Sequence, residues 1–148
     1  MKFLSVICLL LLSLFTTAYS AETAPKKLDP VWLVDARASI KNEKYDQAIQ
    51  QLLTANETNS ADWNNLLGFS LRKKQPPDLL GAEKHYEAAL KIDPVHKGAL
   101  EYYGMLKLTN NDLSGAEALL ARLDKACFFW CEEYSDLKQA IQKYKSKK

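Results

Sequence analysis

The sequence has few of the residues that enzymes use for chemistry at a site. Histidine occurs only twice, at His85 and His96, and neither belongs to a His-Glu-x-x-His zinc motif. A glycine-rich phosphate loop and a Gly-x-Ser-x-Gly nucleophile elbow are also missing. We therefore predict that the chain is not an enzyme, has no catalytic residues and uses neither a cofactor nor a metal ion.

An excess of charge of one sign is also lacking. The 148 residues carry a formal net charge of +2 at pH 7. Domains that bind nucleic acid usually present a strongly basic surface, because they neutralise phosphates. The near-neutral balance therefore predicts that nucleic acid is not a partner.

Long apolar runs are absent except at the N-terminus. The run from Phe3 to Phe15 is interrupted by two serines, follows the positive Lys2 and precedes Ala18-Tyr19-Ser20. Small residues at 18 and 20 suit cleavage after Ser20, and the run is shorter than the ~20 apolar residues of a membrane span. We predict a signal peptide at 1–20, a linker at 21–28, and an exported protein, periplasmic or secreted, with no stable membrane anchor after cleavage.

Glycine and proline are scarce, with five of each, and this favours long helices. Similar segments recur at nearly constant spacing: Gly68 and Gly104 lie 36 residues apart, and the pairs Gly81-Ala82 and Gly115-Ala116 lie 34 residues apart. A period of this length is typical of stacked helical hairpins. Gly68 and Ala82 are small where two antiparallel helices have to approach closely.

The spacing resembles that of the tetratricopeptide-repeat family. The middle repeat matches that family throughout once two residues are inserted at Gln75-Pro76-Pro77-Asp78, the third matches in part, and the first is degenerate. The resemblance covers about residues 29–124 and implies an all-α, right-handed α-solenoid of three helical hairpins followed by a C-terminal capping helix. The matching residues of the middle repeat are Leu67, Gly68, Ala82, Tyr86, Ala89 and Pro94.

The resemblance implies boundaries for each unit. Repeat 1 spans 29–60, repeat 2 spans 61–96 and repeat 3 spans 97–126. A cysteine-bracketed turn and the capping helix occupy 127–148. In that last segment Tyr134, Leu137, Ile141 and Tyr144 fall on one helical face. Two helix starts are also predicted, because Asp29-Pro30 and Asp93-Pro94 place a capping Asp before a Pro at the first helical position.

The family's first helices line a concave groove that binds polypeptide segments. The two arginines at groove positions imply a bound segment of some acidic character; the alternative is an ordinary solvated face. A clamp for C-terminal carboxylates is not implied, because Leu33, Gly98 and Tyr102 stand where its cations would be. Carried over one by one, the groove positions are Leu33, Arg37, Asn65, Phe69, Arg72, Glu101, Met105 and Leu108.

The segment Cys127-Phe128-Phe129-Trp130-Cys131 is the most distinctive local feature. Cys8 would be lost with the signal peptide, so the mature chain keeps two cysteines, and an oxidising compartment favours a disulfide between them. Such a bond would hold an aromatic turn that plugs the end of the core. Two reduced core cysteines and a metal or redox-active pair remain alternatives, although the spacing is not thioredoxin-like and zinc would need two more ligands. The Cys-Phe-Phe-x-Cys-Glu-Glu-Tyr segment resembles the ending of small exported bacterial tetratricopeptide-repeat proteins.

These observations predict a non-enzymatic scaffold or adaptor that acts outside the cytoplasm and binds a protein or peptide in its concave groove. One alternative is a redox or metal-handling accessory protein that uses Cys127 and Cys131 in the assembly of exported proteins. A structural subunit of an envelope complex is another.

Overall fold

The computed structural model describes residues 28–147. The predicted signal peptide and nearly all of the predicted linker lie outside the described residues. Within 28–147 the chain forms seven α-helices and no strand, which confirms the predicted all-α class. The helices are α1 (Val31–Lys41), α2 (Tyr45–Ala55), α3 (Ala61–Lys73), α4 (Leu79–Ile92), α5 (Lys97–Thr109), α6 (Leu113–Ala126) and α7 (Glu132–Lys145). None of these helices in the described part combines the length and the apolar character that crossing a membrane requires.

The helices pack in consecutive pairs, α1 with α2, α3 with α4 and α5 with α6. Each odd-numbered helix also contacts the next one, from α1 through α3 and α5 to α7. Over residues 28–147 no Cα atom of one even-numbered helix lies within 8 Å of a Cα atom of another even-numbered helix. The odd-numbered helices therefore form one contiguous layer, and the even-numbered helices form a second, more widely spaced layer.

The turns inside two of the pairs share one hydrogen-bond pattern. The Lys44 N–H donates to the Ser39 carbonyl at 2.9 Å, and the Asp112 N–H donates to the Lys107 carbonyl at 2.8 Å. The residue before each donor has a positive φ, so both α1 and α5 end in the left-handed conformation of a Schellman motif. The same local geometry thus recurs in the first and third pairs.

The turn between α3 and α4 is longer. Its corresponding bond joins the Asp78 N–H to the Leu71 carbonyl at 2.9 Å, so the donor lies seven residues after the acceptor rather than five. The two additional residues fall in the Gln75-Pro76-Pro77-Asp78 segment, where the sequence comparison between repeats required an insertion.

Four helices begin with a side-chain cap, but not at the predicted Asp-Pro pairs. The Asp29 carboxylate accepts from Arg37 instead, and α1 begins after Pro30 without a side-chain cap. Asp93 accepts from the Val95 N–H inside the turn before α5. The predicted caps at these two pairs are therefore wrong. The Asp93 carboxylate is already bonded within the turn, and His96, three residues later, caps α5 instead. The side chains that accept from the N–H three residues later are Ser60, Asp78, His96 and Asp112.

The core between α3 and α4 depends on a close helix approach. Tyr86 is fully buried, and its ring lies over Gly68. A Cβ at Gly68 would lie 3.0 Å from the Tyr86 ring and 3.1 Å from the Ala82 carbonyl oxygen. Glycine therefore leaves the space that the aromatic ring fills.

Polar bonds connect neighbouring pairs. The Trp63 indole N–H donates to the Leu52 carbonyl at 2.6 Å and joins the first pair to the second. Between α4 and α5, Lys107 Nζ donates to Glu83 Oε1 at 2.7 Å, and the Tyr103 hydroxyl lies 2.9 Å from the same oxygen. These bonds lower the pKa of Glu83, with the hydrogen bond from Lys107 as the largest cause.

Candidate functional site

A cleft of about 400 Å³ opens across the odd-numbered helices. α1, α3 and α5 supply most of its wall, α7 adds one carboxylate, and the turn before α5 adds an imidazole. The lining residues are Arg37, Ile40, Lys41, Asp62, Asn65, Leu66, His96, Gly98, Glu101, Tyr102 and Glu133. We call this the odd-helix cleft.

The structure brings three of the predicted groove residues together in this cleft: Arg37, Asn65 and Glu101. Phe69 and Arg72 lie beside it, because the Phe69 ring contacts that of Tyr102 at a centroid distance of 4.7 Å and Arg72 stacks on Phe69.

Three other predicted residues lie elsewhere. Met105 lines a neighbouring hollow of about 740 Å³ together with α7 residues that include Asp136 and Lys143. Leu33 is only 4% exposed, and Leu108 packs against the core. Leu33 is therefore buried by packing, and Leu108 is partly buried against the core.

Arg37, at the α1 end of the cleft, is already paired with carboxylates. Its guanidinium lies 2.9 Å from Asp29 Oδ2 and 3.6 Å from Asp62 Oδ1. His96 Nε2 lies 3.4 Å from the same Asp62 oxygen. The hydrogen bond with His96 is the largest cause of a lowered pKa of Asp62. The charge of Arg37 is therefore largely compensated within the chain.

An aromatic row borders the cleft. Phe69 lies between Tyr45, at a centroid distance of 6.2 Å, and Tyr102. The Arg72 guanidinium carbon lies 5.5 Å from the Phe69 centroid, and Arg72 Nε donates to the Tyr86 hydroxyl at 3.4 Å. Arg72 is thus held by a cation–π contact and a hydrogen bond.

Asn65 is the least satisfied polar side chain of the cleft. The residue is 5% exposed, and its Oδ1 has no hydrogen-bond partner among residues 28–147. A buried acceptor without a donor typically costs ~1–3 kcal/mol. Gly98 leaves room for this side chain, since a Cβ there would lie 3.0 Å from Asn65 Nδ2. The unmatched oxygen is the strongest indication of a missing donor in the cleft.

Glu101 is a buried carboxyl on α5. It is 5% exposed, and the described part of the chain contains no ion-pair partner for it. The pKa of Glu101 is raised to about 8. Burial is the largest cause, and the negative charges of the nearby Asp136 and Glu133 are the next largest. Arg72 opposes this increase without overcoming it.

The two C-terminal cysteines are paired in a disulfide with Cα atoms 5.9 Å apart. The predicted plug formed by the aromatic turn is wrong: Phe128, Phe129 and Trp130 are 90%, 89% and 79% exposed. The residues that complete the core at this end come instead from α7, whose Leu137 and Ile141 are buried. We call Phe128-Phe129-Trp130 the aromatic loop.

The histidines lie away from the disulfide. His85 Nδ1 lies 3.1 Å from Asn64 Oδ1, and His96 caps α5. Over the described residues, His, Cys, Asp and Glu side chains form no cluster suited to a metal ion.

The sequence did not indicate that His96 or Glu133 belongs to the cleft. His96 is the last residue of the predicted repeat 2, and Glu133 belongs to the predicted capping helix. Only the packing of α7 against α5 brings Glu133 to this wall.

A systematic search found no matching family model and no significant match among curated proteins.

Replacing Cys127 and Cys131 together with Ser is expected to lower the free energy of unfolding by ~2 kcal/mol, because the closed loop is short. The melting temperature should fall by roughly 5–10 °C with the helices retained. Circular dichroism measures both effects, and mass spectrometry of the non-reduced, alkylated protein verifies the bond. Serine at Phe128, Phe129 and Trp130 is the matched control, and a comparable loss of stability from that variant would contradict the exposed placement of the aromatic loop.

Proposed function

We propose that this chain is a non-enzymatic protein–protein interaction scaffold of the tetratricopeptide-repeat kind, acting outside the cytoplasm. In this proposal the three helix pairs form a right-handed solenoid, α7 caps its C-terminal end, and the odd-helix cleft lies on the concave surface. The partner is a polypeptide segment that lies across α1, α3 and α5.

The packing of the helices supports the solenoid. A hairpin cannot bury its apolar stripe alone, so neighbouring hairpins stack and share one continuous core. Contacts between successive odd-numbered helices, without contacts between even-numbered ones in the described range, fit a curved stack with the odd-numbered helices inside. The repeated turn geometry after α1 and α5 fits the same arrangement.

The single observation on which the binding proposal rests is Asn65 Oδ1. Asn65 lines the open cleft, and its Oδ1 is an acceptor that is closed to solvent and has no donor in residues 28–147. Backbone N–H groups and basic side chains of a polypeptide supply such donors. The neighbouring aromatic row offers apolar contact area, and aromatic residues are frequent at protein interfaces.

Export is proposed from the N-terminal sequence and from the disulfide. Disulfides persist mainly in oxidising compartments such as the bacterial periplasm. Cys131 is buried and Cys127 is only partly exposed, and thiol–disulfide exchange requires access to one of the sulfurs. The limited access and a spacing that is not thioredoxin-like favour a structural bond over the alternative of a redox accessory protein.

Site-specific photocross-linking in the native host tests the proposal. A photoreactive phenylalanine analogue replaces Lys41, an exposed residue at the edge of the odd-helix cleft. The matched control places the analogue at Lys84, an exposed lysine on α4 in the other layer. We expect a discrete protein adduct from position 41 and at least severalfold less from position 84. Equal yields from both positions, or no adduct from position 41, would show that the cleft is not a polypeptide-binding surface.

A further inference from the structure

We infer that the α5 end of the odd-helix cleft takes an organic cation, the ammonium of a lysine or the guanidinium of an arginine, at the Glu101 carboxyl group, on the wall that Glu101 shares with Asn65. The inference rests on the proposed function, because the cation would belong to the bound polypeptide. It reverses the expectation, drawn from Arg37 and Arg72, that the bound segment is acidic.

The two acceptors belong to one wall. Asn65 on α3 and Glu101 on α5 both line the cleft, and α3 contacts α5 directly. Gly98, against which the Asn65 side chain lies, precedes Glu101 by three residues and so occupies the same face of α5 one turn earlier. Both residues are only 5% exposed. Asn65 Oδ1 is closed to solvent, so a bound cation would meet Glu101 and would reach that oxygen only if the Asn65 side chain moved.

The chain supplies too little positive charge to this end. Glu101 has no ion-pair partner among the described residues, and the carboxylates of Glu133 and Asp136 act on it from α7. Arg37 is paired with Asp29 and Asp62 at the opposite end, whereas Arg72 stacks on Phe69. The carboxylates of Glu133 and Asp136 would repel a bound carboxylate and attract a bound cation.

The hydrogen-bonding inventory agrees with a cation. Ammonium and guanidinium groups are donors only. The wall includes the Glu101 carboxyl group, which has no ion-pair partner among the described residues, and the unmatched amide oxygen of Asn65 is buried in the same wall. Charge-assisted bonds of this kind are stronger than neutral ones. The elevated pKa of Glu101 shows that burial without a counter-ion disfavours its charged form. A cation placed beside it would restore the carboxylate.

Nuclear magnetic resonance with n-butylammonium chloride, a mimic of the lysine side chain, tests the inference on the labelled protein. The readouts are the Glu101 side-chain carboxyl carbon and the Asn65 side-chain amide. We expect saturable shifts of both signals with n-butylammonium and none with n-butanol or with sodium chloride at equal ionic strength. The affinity of the Glu101→Gln variant for n-butylammonium should be lower by a factor of about ten or more, because one charge of the pair is lost.

The outcomes separate this inference from the proposed function. Unchanged signals, equal shifts with n-butanol, or unchanged affinity in Glu101→Gln would overturn the cation site, even if the Lys41 cross-link forms. Tighter saturable binding of calcium chloride than of n-butylammonium would also overturn it, in favour of a metal site. Binding of n-butylammonium without any polypeptide cross-link would contradict the proposed function and, with it, a polypeptide as the source of the cation.

Discussion

Replacing Tyr86 with alanine is expected to reduce the free energy of unfolding by ~3–5 kcal/mol, the range for removing a large aromatic side chain from a core. Tyr86 is fully buried between α3 and α4. Its ring contacts the position of Gly68 and stacks with Tyr103 at a centroid distance of 6.0 Å. The loss therefore opens a cavity where the second pair meets the third. Chemical denaturation followed by circular dichroism measures the change.

Tyr86→Phe is the matched control, because it keeps the ring and removes only the hydroxyl. That hydroxyl accepts one long hydrogen bond, 3.4 Å from Arg72 Nε, so the variant should lose only ~0.5–1.5 kcal/mol. If the alanine and phenylalanine variants were equally stable, the ring would not occupy the core position that the structure gives it.

Replacing Leu137 with alanine is expected to cost ~2–5 kcal/mol, because Leu137 is fully buried where α7 packs against the third pair. Gly104 on α5 makes this contact close: a Cβ at Gly104 would lie 2.5 Å from Leu137 Cδ2. The variant should also increase hydrogen exchange in α7 before the rest of the chain, since terminal elements open locally.

Lys138→Ala provides the control for the α7 prediction. Lys138 is the next residue along the same helix and is exposed, so its replacement should change stability by no more than ~0.5 kcal/mol. If Leu137→Ala increased the hydrogen-exchange rates of α1 to α6 as much as those of α7, α7 would not open as a separate unit.

Helix packing was the most predictable part of this chain. Gly68 and Ala82 were assigned to a close helix approach, Tyr86 and Ala89 were matched to the family repeat, and all four are buried. This information is local, because a helical period and small residues at contact points are both visible in sequence. The longer α3–α4 turn was predictable for the same reason, since it changes the spacing between matching residues.

Competing local interactions limited the prediction of helix starts. An Asp before a Pro was a reasonable cap, yet Asp93 forms its bond within the turn and His96 caps α5. Both arrangements satisfy backbone donors, and the choice depends on where α4 ends. Sequence does not fix such boundaries closely.

Side-chain exposure at the two candidate surfaces depends on contacts that are distant in sequence. Phe128, Phe129 and Trp130 were expected to be buried because they are apolar, but α7 already covers the core beneath them. Glu133 enters the cleft wall only through the packing of α7 on α5. Neither result follows from helical periodicity, which describes one helix at a time.

The central claim is tested most directly by identifying the molecule that becomes cross-linked to the photoreactive residue at position 41. Tandem mass spectrometry of the purified adduct should identify peptides of a second polypeptide, joined to position 41 through one contiguous segment. That result is expected if the odd-helix cleft binds a polypeptide. An adduct that contains only lipid or glycan would contradict the claim, as would attachment scattered over many unrelated proteins.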